Sequence, residues 1–512
     1  MGALVLKAVY SVLRSPQHDF QTTVLKNPEY FLTAINRVFL AINTCILIIL
    51  GVTTFWLTKN IAISLIAQSS PFLSDITLFY GLLEVSPEPF ILASTLLFAL
   101  LIIAYPYKAT IETSLFHNKI ISADLLFVIS FSFISGFGIA SKLTFIPLLL
   151  IPLVVLPKFK NKILFIIGTI LSFALCTYPI IHKIGWFFKA FVFPLLAHDG
   201  LYGAGEGDIV DVGAYMSNIT YILSNNVFFS ILLTSSLCIL MISFGVPRLR
   251  RVSIGNINFT SLFAVSLSQL LGLVITAKHY FHIGSYSPLD RYFLPSVGLS
   301  GVSLILMIFC LKEVGNELKD DATIPSLFHK MGHFMTTRYV NGFMFILIIS
   351  LLISGVSWLR TTSNNSKFIR DAILEVYHKV EHDYQDYAKI YYSKSSSPEA
   401  SLYFSHFYDK YNSEVLQKLY ENAYYYHFIK GKLYHWKSDI PFEEIVSAYG
   451  NKIIFQGSPL SSGDLIIDAL GITPKKHDLI LNVVYEGTIE NIYEVDIHSH
   501  LKNETEHSSE GS

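Results

Sequence analysis

Charge is what this chain has least of. Only 15% of its 512 residues are Asp, Glu, Lys or Arg, where soluble domains carry roughly 25%. With 52% hydrophobic residues and a mean hydropathy of +0.49, that scarcity excludes an ordinary soluble domain and indicates a polytopic membrane protein. Neither sign of charge is in excess: 37 Lys and Arg against 38 Asp and Glu leave a net −1. No basic surface therefore points to nucleic acid. Cysteine is also sparse. Cys45, Cys176, Cys238 and Cys310 all fall inside apolar runs and read as small buried hydrophobes rather than a disulfide or zinc set. No internal repeat is visible, which speaks against a transporter built on duplicated halves. Residues 1–30 hold Lys7, Arg14, His18, Asp19 and Lys26 without an uninterrupted apolar core, so no cleavable signal peptide is expected there.

Long apolar runs are what the chain does have. A spanning helix needs about 20 mostly apolar residues, and about ten runs qualify: 34–57, 61–83, 88–106, 121–140, 143–156, 163–183, 225–246, 259–277, 293–311 and 340–359. Two fit less well. The run 61–83 contains Gln68, Pro71 and Asp75, and 143–156 is short and carries Pro147 and Pro152. Residues 1–33, with Leu4, Val5, Ala8, Val9, Val12 and Leu13 at helical spacing, predict a segment lying in the membrane interface. Residues 34–359 form the membrane domain. Residues 360–499 turn polar and Tyr-rich, with helical spacing in 367–393 and 408–425 and β-rich pieces at 452–456, 478–485 and 490–495. They predict a small α+β domain outside the membrane, followed by a disordered tail at 500–512.

Lysine and arginine in short loops set the orientation. Lys158, Lys160 and Lys162, the group Arg248, Arg250 and Arg251, and the pair Lys108 and Lys119 mark the cytoplasmic side. Residues 184–224, 278–292 and everything after 360 then lie outside. Counting back places residues 1–33 outside as well, which asks for one more helix before residue 1.

The candidate chemistry gathers on the outer side. Lys278, His279 and Arg291-Tyr292 flank the connection between two apolar helices. An ammonium and a guanidinium at the mouth of a bundle suit a phosphate anchored in lipid; the alternative is interfacial snorkelling beside aromatic belt residues. Lys142, after Gly136 to Ser141, is either a second phosphate contact or a snorkelling lysine. The long loop with His198, Tyr202, Gly203 and Gly205 has a backbone free to approach a ligand, a histidine able to shuttle a proton and a ring on which a sugar can stack. An ordinary surface loop is the alternative. Asp75, Glu84 and Glu88 are candidate acids for base or metal duty, against a solvated helix end in which Glu88 complements the N-terminal dipole.

Taken in order, these pieces resemble the GT-C class of integral-membrane glycosyltransferases, closest to the family 39-like group that includes the protein O-mannosyltransferases and the lipid A aminoarabinose transferase. The resemblance rests on Arg37 early in a helix, on residues 135–148 (SGFGIASKLTFIPL), on the loop His198 to Gly205, and on Lys278 with Arg291 to Pro295. It implies a polyprenyl-phosphate sugar donor, work at the outer face of a membrane (for a bacterial member, the inner membrane, with site and C-terminal domain facing the periplasm), and a phosphate held by Lys142, Lys278 and Arg291. It also implies an acidic pair in the first external loop, serving as base or as ligand to a divalent metal such as Mg or Mn. Here the chain departs from the pattern, because Asp19 and Glu29 are single acids in a different setting. The family's first helix and acidic pair are expected to precede Met1, and the chain as it stands is expected to be catalytically impaired. Two other functions use the same outer cations: a transporter or flippase of lipid-linked saccharides, and a non-catalytic membrane subunit. Partners expected on every reading are a lipid-linked sugar and membrane lipids, with no nucleic acid.

Overall fold

A computed structural model describes residues 23–24, 28–83, 87–115, 122–178, 182, 185, 212–278, 290–318, 338–393, 396–397, 399–400, 403, 413–427, 432–436, 438–459 and 477–499. The chain divides into two compact units, Ile35–Leu359 in one and Met1–Ala34 with Arg360–Ser512 in the other.

The Ile35–Leu359 unit is a helical bundle. Among the described residues seven helices are long and apolar enough to cross a membrane: Thr33–Thr58, Glu88–Thr113, Ala123–Ser141, Phe159–Thr177, Val227–Gly245, Ile257–Lys278 and Asp290–Gly315. The protein is thus a polytopic helical membrane protein, but the expected ten spans are corrected at three places. The run 61–83 is a pair of short helices bent by 75°, broken where the 3-10 turn Ser70–Leu73 carries Pro71 and where Ser74 caps Asp75–Leu78 through the Ile76 amide. Counted as one span it would make eight. The run 143–156 is a 3-10 helix, Leu143–Leu149, leading into the six-residue helix Leu150–Val155. Proline cannot donate into an α-helical ladder, and this element is too short to span. The run 340–359 opens the 46-residue helix Arg338–Asp383, which is not among the seven spans; the expected boundary at 359/360 is where the two compact units divide, within this helix.

Burial sorts the helices. The Asp290–Gly315 window is 83% buried and Phe159–Thr177 only 17%, placing the first at the centre and the second at the rim. The rim helix exposes Ile163, Ile166, Ile170, Leu171 and Leu175, an apolar surface of the kind lipid covers. Cys45 and Cys238 are exposed on such faces and Cys176 is half-covered. Only Cys310 is buried, so the reading of all four as core residues holds for one.

Small residues and hydroxyls bring the central helices together, as expected where lipid gives no hydrophobic drive for association. A Cβ on Gly136 would meet Ser172 at 2.4 Å, so the Ala123–Ser141 and Phe159–Thr177 helices approach as close as backbone allows. Ser268 donates to the Pro147 carbonyl (2.9 Å), Gln269 to the Ser296 carbonyl (3.0 Å), and Ser303 to the Gln269 side-chain oxygen (3.1 Å). These bonds pin the short proline-bearing element and the start of the last span to Ile257–Lys278.

The other unit carries a seven-stranded mixed sheet, ordered β4-β3-β2-β1-β5-β7-β6. Its strands are β1 (Ala388–Tyr391), β2 (Ala423–His427), β3 (Lys432–His435), β4 (Ser438–Asp439), β5 (Ile453–Gly457), β6 (His477–Glu486) and β7 (Asn491–Ser499). Strand β1 pairs parallel with both β2 and β5. The three β-rich pieces of the sequence are β5, β6 and β7. The runs 367–393 and 408–425, expected as helices throughout, end instead in β1 and β2. These central strands are only four and five residues long, and Ala and Tyr at their positions satisfy a helical spacing equally well. Helices Ser413–Leu419 and Phe442–Tyr449 serve different hydrophobic clusters, one around Tyr403, Tyr425 and Trp436 and the other around Ile390, Phe442 and Ile445.

Candidate functional site

Glu88 opens the Glu88–Ala104 helix behind Pro87 and ahead of Pro89, in the first turn, where the exposed amides favour a carboxylate. Asn43 donates to the Pro89 carbonyl (3.2 Å) and the Phe39 ring meets Phe90 edge-on at 4.5 Å, so this turn is tied to the preceding span. Lys142 directly follows the Ala123–Ser141 helix. Its own amide still bonds the Gly138 carbonyl (2.9 Å), but its φ of −167° and ψ of 140° turn the chain out of the helix. A Cβ on Gly138 would strike the Phe145 ring at 2.6 Å, so glycine is what lets the turn fold back. Arg291 and Tyr292 lie in the 3-10 turn Asp290–Phe293 that leads into the central span.

Three chain segments thus end at one place. The Lys142 ammonium pairs with Glu88, and Arg291 Nε lies 3.9 Å from the same carboxylate oxygen. The Tyr292 ring faces both cations, with Lys142 Nζ 4.2 Å and the Arg291 guanidinium carbon 5.5 Å from its centroid, a geometry in which the ring quadrupole attracts cations. Glu88 is 1% exposed, which corrects the reading of it as a solvated helix end: prolines on either side and the packed ends of two neighbouring segments remove it from water. A buried carboxylate is tolerable only when it is paired, and here two cations pair with it.

Lys278 closes the Ile257–Lys278 helix, which packs on the Asp290–Phe293 turn, so it stands at the same end of the bundle. Asp75 stays exposed at the break in the bent pair, and that short helix too packs near Asp290–Phe293. Arg37 is exposed on its helix and in no ion pair among the described residues. Glu84, His198, Tyr202, Gly203, Gly205 and His279 lie outside the described residues. No group of three or more His, Cys, Asp or Glu able to hold a metal is found among the described residues. What sequence reasoning missed is that Glu88 is the counter-ion of the two cations. The available signal was positional, an acid at the start of one apolar run and a base at the end of the next.

The sheet unit holds its own buried polar groups. Ser396 donates to Glu490 Oε1 (3.2 Å) and Gln456 Nε2 to Glu490 Oε2 (3.1 Å), while Tyr391 donates to Glu399 Oε1 (2.9 Å). Burial pushes the Glu399 carboxyl up from the usual carboxylate range and pushes His435 down from the usual imidazole range. A polar cleft of about 530 Å³ is lined by Gln385, Asp386, Lys418, Glu421, Asn422 and Tyr449. Comparison with protein-family models, curated proteins and solved structures finds no match to the chain.

Proposed function

We propose that the protein is a membrane glycosyltransferase that moves a sugar from a polyprenyl-phosphate donor to an acceptor at the outer face of a membrane, with Lys142 and Arg291 on the donor phosphate, Lys278 at the rim and Tyr292 as the platform beneath the cations. The observation that carries this reading is the convergence of Lys142 and Arg291, 149 positions apart in sequence, on one buried carboxylate at one end of the bundle. When the bond between sugar and phosphate breaks, negative charge grows on the leaving phosphate oxygen. Fixed cations in a dry site stabilise that charge more than they stabilise the ground state. Glu88 is a positioning residue in this scheme: it holds the two cations in place until the donor phosphate takes a share of their hydrogen bonds. For a bacterial protein the membrane is the inner one, and the site faces the periplasm.

Binding of a labelled polyprenyl-phosphate sugar donor by the full chain, with sugar transfer measured alongside, tests the role when compared with the Arg291→Ala, Lys278→Ala double substitution, the binding arm deciding where turnover is low. Each charge-assisted hydrogen bond contributes on the order of 1.5–3 kcal/mol, so donor affinity is expected to fall at least about tenfold. Turnover and affinity equal to the parent would refute it. The close ion pair itself favours one competing use: Glu88 and Lys142 serve only to hold helix ends together. A Glu88→Leu, Lys142→Met protein replaces the pair by apolar packing. If that protein keeps its fold and its sugar transfer, the structural use is the correct one.

A further inference from the structure

The same two helices carry a second cluster at their other ends. Lys108 comes about 20 residues after Glu88 and Asp124 about 18 before Lys142, which is roughly 27–30 Å at 1.5 Å per residue, close to the thickness of a bilayer's hydrocarbon core. There Lys108 Nζ bonds Asp124 Oδ1 at 2.7 Å and Lys158 Nζ lies 3.6 Å from Asp124 Oδ2. Two helices begin at this point. Ala123–Ser141 is capped by Ser122, whose oxygen accepts from the Leu125 amide (3.3 Å). The 19-residue Phe159–Thr177 helix starts after Lys158 with no side-chain cap, leaving its first amides as a positive end. Two further donors are buried beside these groups. The Asn161 side-chain amide has no hydrogen-bond partner among the described residues, and the Tyr105 phenol has beside it Lys108, itself a donor, so its own O–H finds no acceptor there. Tyr105 is 1% exposed, with Lys108 Nζ 5.0 Å from its ring centroid and its hydroxyl within electrostatic reach of both Lys108 and Asp124.

Donors outnumber acceptors at this end of the bundle: two ammonium groups on one carboxylate, with an amide, a phenol and an uncapped helix start on the same segments. Buried donors without acceptors are costly. A carboxylate ligand would duplicate Asp124, whereas a phosphate offers several acceptor oxygens to groups arriving from different directions. Lipid phosphates also lie at this depth, just beyond the hydrocarbon, where basic pockets between spanning helices take anionic headgroups. We infer that this end of the bundle binds a phosphate group, supplied by an anionic lipid headgroup or free in solution, between Lys108, Lys158 and the start of the Phe159–Thr177 helix. The site shares no residue with the one proposed for sugar transfer, so substitutions at Lys142 or Arg291 are expected to leave it intact.

Native mass spectrometry of the full chain in detergent, titrated with phosphatidylglycerol and in parallel with phosphatidylcholine, tests the inference. Preferential retention of phosphatidylglycerol is expected. Lys108→Gln with Lys158→Gln should lower its affinity at least tenfold, and Asp124→Asn, which removes the competing carboxylate, should raise it several-fold. Lys158 is 71% exposed, so Lys158→Gln alone keeps the fold and should still weaken binding about threefold. Competition by millimolar inorganic phosphate would identify the free anion as the source, and its failure to compete would identify the lipid. Equal retention of the two lipids without any phosphate binding, unchanged affinity in the lysine variants, or a loss of affinity in Asp124→Asn would each overturn the site. A purely structural ion pair predicts the last of these.

Discussion

The two ends of the Glu88–Ala104 and Ala123–Ser141 helices are built from the same parts and behave differently. Each end sets one carboxylate against two cations: Glu88 at the start of one helix pairs with Lys142 just past the other, and Asp124 in the first turn of that other helix pairs with Lys108, one 3-10 turn beyond Ala104, so the antiparallel pair is fastened twice. At one end the carboxylate is 1%, Lys142 19% and Arg291 35% exposed, so the contrast lies in the carboxylate and its closest cation. At the other, Asp124 is 20%, Lys108 36% and Lys158 71% exposed. Interaction energy in an ion pair grows steeply as water is excluded, and so does the penalty for removing one partner. Identical stoichiometry therefore yields a locked cluster at the Glu88 end and an adjustable one at the Asp124 end. Electrostatic stabilisation of a changing charge needs groups that do not relax, which is what the sugar transfer proposed for the Glu88 end would require. Reversible holding of a headgroup tolerates side chains that move, and the Asp124 end suits binding.

The sharpest way to break this contrast is to remove the carboxylate at each end. Glu88→Gln leaves Lys142 and Arg291 without their buried counter-ion, and thermal unfolding in detergent should show a loss on the order of 3 kcal/mol. A loss under ~1 kcal/mol would mean that water reaches Glu88 and that the two ends are alike. Glu399 supplies a third case, a buried carboxyl bonded to a phenol and pushed up by burial. Its folded-state pKa lies above the unfolded value of 4.5, so the protonated form contributes stability that is complete below that value and is lost as pH rises through the folded one. His435 has the opposite sign. Its folded-state pKa lies below 6.5, so its contribution is present above 6.5 and is lost as pH falls through the folded value. Fluorescence of the buried Trp436 followed through denaturant titrations at several pH values should show both trends, and Glu399→Gln should abolish only the decline on the alkaline side. The smallest effect is expected for Asp124→Asn, at most about 1 kcal/mol, because solvent reaches both of its lysines and screens the pairs. A loss as large as that of Glu88→Gln would erase the distinction between the ends.

Much of the site is legible in the sequence, and its central contact is not. Lys142, Arg291 and Tyr292 stand out because cations are rare in this chain and these lie at the edges of apolar runs. Glu88 is visible as an acid at a helix start, but its burial depends on which neighbours close over it. Nothing local distinguishes a first-turn glutamate facing water from one facing two cations. The strands β1 and β2 escape for a related reason: four or five residues of Ala, Ile, Lys, Tyr and His carry too little periodicity to exclude a helix, and only pairing with β5 and β3 decides the matter.

By itself the sequence determined that this chain lives in a membrane, because a scarcity of charge and a succession of runs near 20 apolar residues leave no other solvent for those surfaces. It also determined that the cations stand at the edges of those runs, since nothing else about them is compatible with hydrocarbon. Tertiary structure alone decided which edges meet. A run of apolar residues specifies a helix and its depth but not its neighbour, and the neighbours follow from close packing at Gly136 and Gly138 and from hydroxyl and amide bonds such as those of Ser268 and Gln269. Through those contacts Lys142 and Arg291 reach one carboxylate, and Lys108 and Lys158 reach another.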